Sequence, residues 1–117
     1  MRSPAPVRLT VRSPEQLAAD AILEVVQAHY DVRLDDLLGM RRDGNLRRAR
    51  AAAAGLLYDC IRTWSTTTIA AYLGRARHNS AVQLAKRAGT LEEYDELKRA
   101  ARARPAVQAL GMPHLRG

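Results

Sequence analysis

Phenylalanine is absent from this 117-residue chain, and its aromatic rings are four tyrosines and one tryptophan. A core without large rings has to be assembled from small and aliphatic side chains in close contact, which helix-on-helix packing supplies. The same scarcity removes the stacking platform on which single-stranded RNA is read, so RNA binding is the weakest of the binding readings. Cys60 is the only cysteine. One thiol excludes an intramolecular disulfide and leaves a cysteine-based zinc site short of ligands. Its spacing from Leu56, Leu57 and Ile61 places it on an apolar face, as a buried small hydrophobe. Lysine is scarce as well: two lysines stand beside seventeen arginines, and against 12 acids the formal charge is +7. No apolar run approaches the length of a bilayer span, and the N-terminus has no signal-peptide core, so a soluble cytoplasmic protein without a membrane partner is expected.

Catalytic equipment is missing too. The three histidines are dispersed, the acids sit at helix ends rather than in converging pairs, and the hydroxyls of Ser65 to Thr68 have no paired base. No Gly-x-x-x-x-Gly-Lys-Ser/Thr phosphate loop occurs. The sequence predicts neither an enzyme nor a cofactor nor a metal site.

What is present is helical. Strand formers never alternate over a useful length, and the fold class is all-α, a compact helical bundle. Residues 1–12, with Arg2, Arg8, Arg12, Pro4 and Pro6, show no periodicity and read as a flexible basic arm. Ser13-Pro14-Glu15-Gln16 starts a helix: Ser13 as N-cap, Pro14 in the first turn, Gln16 completing a capping box. That helix runs to about Tyr30, with Leu17, Ala18, Ala21, Ile22, Val25 and Val26 as its inward stripe and His29 at its carbonyl-rich end. Asp31 to Gly39 form a short turn and helix pinned by Leu34, Leu37 and Leu38. Gly44-Asn45 marks a loop, and from Leu46 a helix buries Ala49, Ala53, Leu56, Leu57, Cys60 and Ile61, its Ala51–Ala54 run admitting a close neighbour. Trp64 roofs the junction that follows. Thr90-Leu91-Glu92-Glu93 reads as a second capping box, opening a helix to about Arg104 with Leu91, Tyr94, Leu97 and Ala101 inward. Residues 13–104 form the domain, and Pro105 ends it, leaving 105–117 as a loose tail.

Within this frame, residues 65–88 have the pattern of a helix-turn-helix. A hydroxyl among Ser65 to Thr67 caps a first helix carrying Ile69, Ala70 and Leu73 on one face. Gly74 supplies a left-handed turn. A second helix follows from Arg75–Asn79, with Ala81, Val82 and Ala85 inward and Ser80, Gln83, Lys86 and Arg87 outward. In such motifs the second helix lies in the DNA major groove. No acid occurs between Arg75 and Arg87, and upstream Arg41, Arg42, Arg47, Arg48 and Arg50 are opposed only by Asp43. Guanidinium forks suit phosphate and guanine.

Two segments carry a family resemblance. Gly74-Arg75-Ala76-Arg77-His78-Asn79-Ser80 resembles the Gly-Gly-Arg-Asp-His-Thr-Thr signature of the C-terminal DNA-binding domain of the bacterial replication initiator DnaA. Upstream, Tyr30-Asp31-Val32-Arg33-Leu34-Asp35-Asp36-Leu37-Leu38-Gly39-Met40-Arg41-Arg42 resembles that domain's tyrosine, short loop, Asp-Leu-Leu and basic loop, and the helix from Leu46 to Ile61 corresponds to its long helix. The likeness spans about Ile22 to Ala88, in the same order, with one extra residue near Trp64. It implies that Arg77, His78, Asn79 and Ser80 contact bases. It implies that Arg41 and Arg42 lie in or along the minor groove, and that Arg48 and Arg50, with Lys86 and Arg87, meet the DNA backbone. Only His78 repeats the family's base-reading residues. Arg77 replaces a carboxylate that accepts from cytosine with a donor that suits guanine, and Asn79 suits adenine.

The expected protein is therefore a cytoplasmic, nucleoid-associated, monomeric binder of double-stranded DNA. It stands alone without the ATPase domain of the initiator and regulates replication initiation or transcription by occupying sites. The alternative is an adaptor that uses the same fold to bind a protein of the replication-initiation machinery, with only weak nonspecific DNA contact.

Overall fold

The computed structural model describes residues 12–74 and 78–110, and within them seven helices and no strand. They are α1 (Pro14–Tyr30), α2 (Leu34–Leu38), α3 (Gly44–Cys60), α4 (Thr66–Tyr72), α5 (His78–Ala88), α6 (Tyr94–Arg102) and α7 (Pro105–Leu110). The fold is an all-α bundle, and no helix among the described residues is long and apolar enough to cross a membrane. The basic arm, residues 1–11, and the last residues, 111–117, lie outside the described part.

Alanine allows α3 to run through the middle of the molecule. Every residue from Ala49 to Leu57 is buried, and α1, α2, α4, α5 and α6 all pack against it. Small side chains permit this on all sides, and Gly55 marks the tightest crossing. A Cβ there would stand 2.4 Å from the Ala88 Cβ and 2.8 Å from the Tyr94 hydroxyl, so α5 and α6 approach α3 backbone to side chain. Glycine in a helix interior costs about 1 kcal/mol relative to alanine, and the close approach of three helices offsets it.

The first capping box forms as expected: Ser13 Oγ accepts from the Gln16 N–H at 3.1 Å and Gln16 Oε1 accepts from the Ser13 N–H at 3.1 Å. The inward stripe of α1 differs. Ala18, Ala21, Ile22 and Val26 are buried, but Leu17 is 48% exposed, and Ala19, Leu23 and Tyr30 are buried instead. Ala19, Leu23, Val26 and Tyr30 share one face at helical spacing, and Leu17 falls opposite it. The reason lies at the other end of the chain: Pro105 does not end the folded body but begins α7, which buries Val107 and packs on α1. Proline is pre-organised for a helix start, the alternative meaning of its presence.

Four further expectations are corrected. Leu34, expected to pin α2, is 41% exposed at the helix start, and Leu37 alone is fully buried there. Gly44-Asn45 is not a loop but the first turn of α3, because Asp43 Oδ1 accepts from the Leu46 N–H at 2.8 Å and caps the helix two residues early. Cys60 is half-buried rather than buried, and burial pushes its thiol pKa up. Thr90 does not cap α6, which begins at Tyr94 without a side-chain cap. Its hydroxyl donates to the Arg87 carbonyl at 2.7 Å instead, and the Glu93 carboxylate is drawn away to Tyr30 and Arg48.

Three tyrosines tie distant segments by the same device. Tyr30 donates to Glu93 Oε2 at 2.6 Å, Tyr72 to Asp20 Oδ1 at 2.5 Å and Tyr94 to Asp59 Oδ2 at 2.6 Å. Trp64 is half-buried and leans on Tyr72, ring centroids 5.3 Å apart. In each tyrosine, burial first and the neighbouring carboxylate second push the phenol pKa up. A raised folded pKa means the unfolded chain loses these protons first as pH rises, so stability falls once pH passes the ordinary tyrosine value of about 10. Urea midpoints measured from about pH 8 to about pH 11 should drop in the upper part of that range. Tyr72→Phe should flatten the drop. A midpoint independent of pH would contradict the three clasps.

Candidate nucleic-acid interface

Two elements hold the residues that the sequence singles out, and a close approach at Gly74 relates them. Ser65 caps α4 by accepting from the Thr68 N–H at 3.1 Å, and Ile69, Ala70 and Leu73 are buried as expected. Gly74 follows with φ +75°, the left-handed region, ending the helix. A Cβ on Gly74 would stand 3.2 Å from the Leu38 carbonyl oxygen. Gly74, just past the end of α4, therefore lies beside the end of α2, two residues before the exposed stretch Met40-Arg41-Arg42.

Along α5, Ala81 and Ala88 are buried, Val82, Leu84 and Ala85 are half-buried, and Ser80, Gln83, Lys86 and Arg87 are exposed. Ser80, Gln83 and Arg87 share one face at i, i+3 and i+7, about 10 Å long at 1.5 Å per residue. That face bears no acid. Arg77 lies outside the described residues, as do the side chains of His78 and Asn79, which are the first two residues of α5.

The arginine cluster divides into different roles. Arg50 is buried: its Nε donates to the Leu37 carbonyl at 3.0 Å, and its Nη2 donates to the carbonyls of Asp36 at 2.7 Å and Gly39 at 3.1 Å. The guanidinium satisfies carbonyls at the end of α2, where helical partners run out and the partial charge is negative. The resemblance implied a phosphate contact for this side chain, whereas its guanidinium is engaged within the protein. A signal existed, because Leu46, Arg50, Ala53 and Leu57 lie on one stripe at helical spacing, which puts Arg50 among core positions.

Arg48 is also engaged. Its Nη2 lies 2.7 and 2.8 Å from the two Glu93 oxygens, and Glu93 also accepts from Tyr30. Burial raises the Glu93 pKa, but the Tyr30 hydroxyl, its own backbone and Arg48 outweigh that and hold it below the usual carboxylate value. Half of the Arg48 side chain remains exposed, yet its charge is balanced within the protein. Glu93 is the partner that sequence reasoning missed, having been assigned to a cap.

Arg41 and Arg42 project from the loop. Arg41 stands 3.6 Å from Asp36 and 3.9 Å from Asp43 with two thirds of its side chain exposed, a loose tether rather than a closed pair. Arg42 and Arg47 are exposed and make no ion pair among the described residues. A shallow cleft of about 280 Å³ opens beside this loop, between Arg33, Asp36, Arg41 and Asp43. Its mixed charges do not favour a small anion. Among the described residues no group of histidine, cysteine and acid side chains is arranged to hold a metal ion.

The arrangement presents a fixed loop with outward cations next to Gly74, and, four residues on in the chain, a helix whose exposed face is polar and acid-free. Comparison with protein-family models, curated proteins and solved structures returns no match.

Arg50 fixes the loop, and its removal tests that role. Arg50→Met fills similar space but leaves carbonyls without a donor, while also removing a buried charge; the net loss should be about 1–3 kcal/mol. Urea denaturation gives the loss, and amide hydrogen exchange should show faster opening at Gly39 to Arg42. An equally stable variant with an unchanged loop would contradict the assignment.

Proposed function

We propose that this chain binds double-stranded DNA through a two-part surface. The turn and first residues of α5 lie in the major groove, and the Arg41–Arg42 loop reaches the backbone and adjacent minor groove. The observation that carries this reading is the contact between Gly74 and the Leu38 carbonyl. It sets the end of α2, two residues before the Met40-Arg41-Arg42 stretch, beside Gly74, four residues ahead of a helix whose exposed face has no acid. A helix in the major groove with a cationic segment in the neighbouring minor groove is an established way to dock on a duplex. The resemblance of residues 22–88 to the DnaA C-terminal domain supports the same geometry, with α4, Gly74 and α5 as the helix-turn-helix.

In this reading the base contacts are Arg77, His78, Asn79 and Ser80. Arg42, Arg41, Lys86 and Arg87 meet phosphates or line the groove. Arg48 and Arg50 drop out, since both guanidiniums are engaged within the protein. The bound protein acts by site occupancy, on replication initiation or transcription.

Selection of bound duplexes from a random pool tests the proposal. The wild type should recover a motif with guanine at one position. Arg77→Ala should relax that position, a discrimination of roughly 1–3 kcal/mol, and Arg77→Asp should shift it toward cytosine. Log affinity should fall with log salt at about −0.9 per phosphate neutralised, and Arg42→Ala should make that slope shallower by about one unit at most. Arg50→Lys should leave the slope as it is. No enriched motif, together with affinity indifferent to salt, would overturn the proposal.

A further inference from the structure

Met40 is 80% exposed, the most exposed of the large apolar side chains described. A lone exposed apolar residue ordinarily needs no explanation. What sets Met40 apart is its mounting. On one side the Gly39 carbonyl is gripped by Arg50 at 3.1 Å, and the Leu38 carbonyl rests against Gly74. On the other side Asp43, three residues on, is fixed by its cap on Leu46. Between these anchors the chain exposes three consecutive residues, a long unbranched apolar side chain followed by two arginines.

We propose that Met40 is a wedge. When Arg41 and Arg42 draw the loop onto a duplex, the Met40 thioether chain inserts between two adjacent base pairs from the minor-groove side, parts them and kinks the DNA toward the major groove. This rests on the DNA reading of the same surface and adds to it a residue that reads sequence without a hydrogen bond. Methionine is among the side chains that serve as such wedges. Its flexibility and polarizable sulfur suit a slot between stacked rings. The cations beside it supply the attraction that brings an apolar tip to a polyanion. Because pyrimidine–purine steps part most easily, the wedge selects a TA or CA/TG step where the loop sits.

The experiment uses the full chain and the duplexes it selects from a random pool, labelled at both ends for energy transfer and carrying 2-aminopurine at successive positions. With the wild type, fluorescence should rise several-fold at one pyrimidine–purine step, and the ends should approach as for a bend of roughly 20–90°. Met40→Ala should bind with an unchanged salt slope but without the bend, the fluorescence rise or the step preference. Met40→Leu should retain all three. A bound duplex that stays straight and stacked with the wild type overturns the wedge and leaves the DNA reading standing. So does a Met40→Ala complex that matches the wild type. If no duplex is retained at all, both fall. If vesicles of phosphatidylserine and phosphatidylcholine bind the wild type and not Met40→Ala, while the duplex complexes are alike, the tip belongs to a lipid surface and the wedge is overturned.

Discussion

A buried guanidinium bonded to the carbonyls of Asp36, Leu37 and Gly39 is the interaction on which the proposed surface depends. α2 is five residues long, too short for its own hydrogen bonds to hold it. Arg50 reaches it from the central helix and closes its end. Placing a charge inside costs several kcal/mol unless it is well bonded, and three carbonyls at a helix C-terminus are suited to a forked cation. The result is a short helix fixed to α3, with its last carbonyls settled on one side by Arg50 and on the other by contact with Gly74. Leu37, fully buried, adds the apolar anchor.

Charge is sorted by the same packing. The arginines that lie on inward or lateral positions of α3 are engaged by the protein: Arg50 by carbonyl dipoles, Arg48 by Glu93, which Tyr30 also engages. Arg12 pairs with Asp20, which holds Tyr72, and Arg104 pairs with Glu24 on the outer side of α1. Lys98 and Tyr94 share Asp59. Carboxylates are thus occupied where segments meet; Arg42 on the α2–α3 loop and Lys86 and Arg87 in the last turn of α5 face outward, as do Arg33, Arg47, Arg62, Arg99 and Arg102 elsewhere on the described surface. Electrostatics in the fold and on the surface are one distribution, divided by which helices happen to adjoin.

Much of this was legible in the sequence because it is local. The Ser13 box, the Ser65 cap, Gly74 and the apolar face of α4 are decided within a few residues, and all formed. The polar face of α5 follows from spacing alone. What escaped was decided by contacts far apart in the chain. Glu93 fits a capping box with Thr90 until Tyr30 and Arg48, 63 and 45 residues away, compete for it. Leu17 lies on an apolar stripe until α7 covers α1 and moves the buried arc. Pro105 is equally a stop and a start, and nothing local chooses between them. Arg50 belonged to a basic run by composition and to the core by helical phase; phase was the better guide. Arg77, and the side chains of His78 and Asn79, fall outside the described residues, so their reading rests on position in the chain.

The central claim is that the loop after α2 and the face of α5 form one surface. It is tested most directly by titrating the isotopically labelled protein with a selected duplex and following backbone amides by nuclear magnetic resonance. The account predicts that Met40 to Arg42 and Ser80 to Arg87 shift together at the same molar ratio, while Glu92, Asp95 and Glu96 at the start of α6 stay in place. Shifts confined to one of the two segments, or centred on those acids, would contradict it.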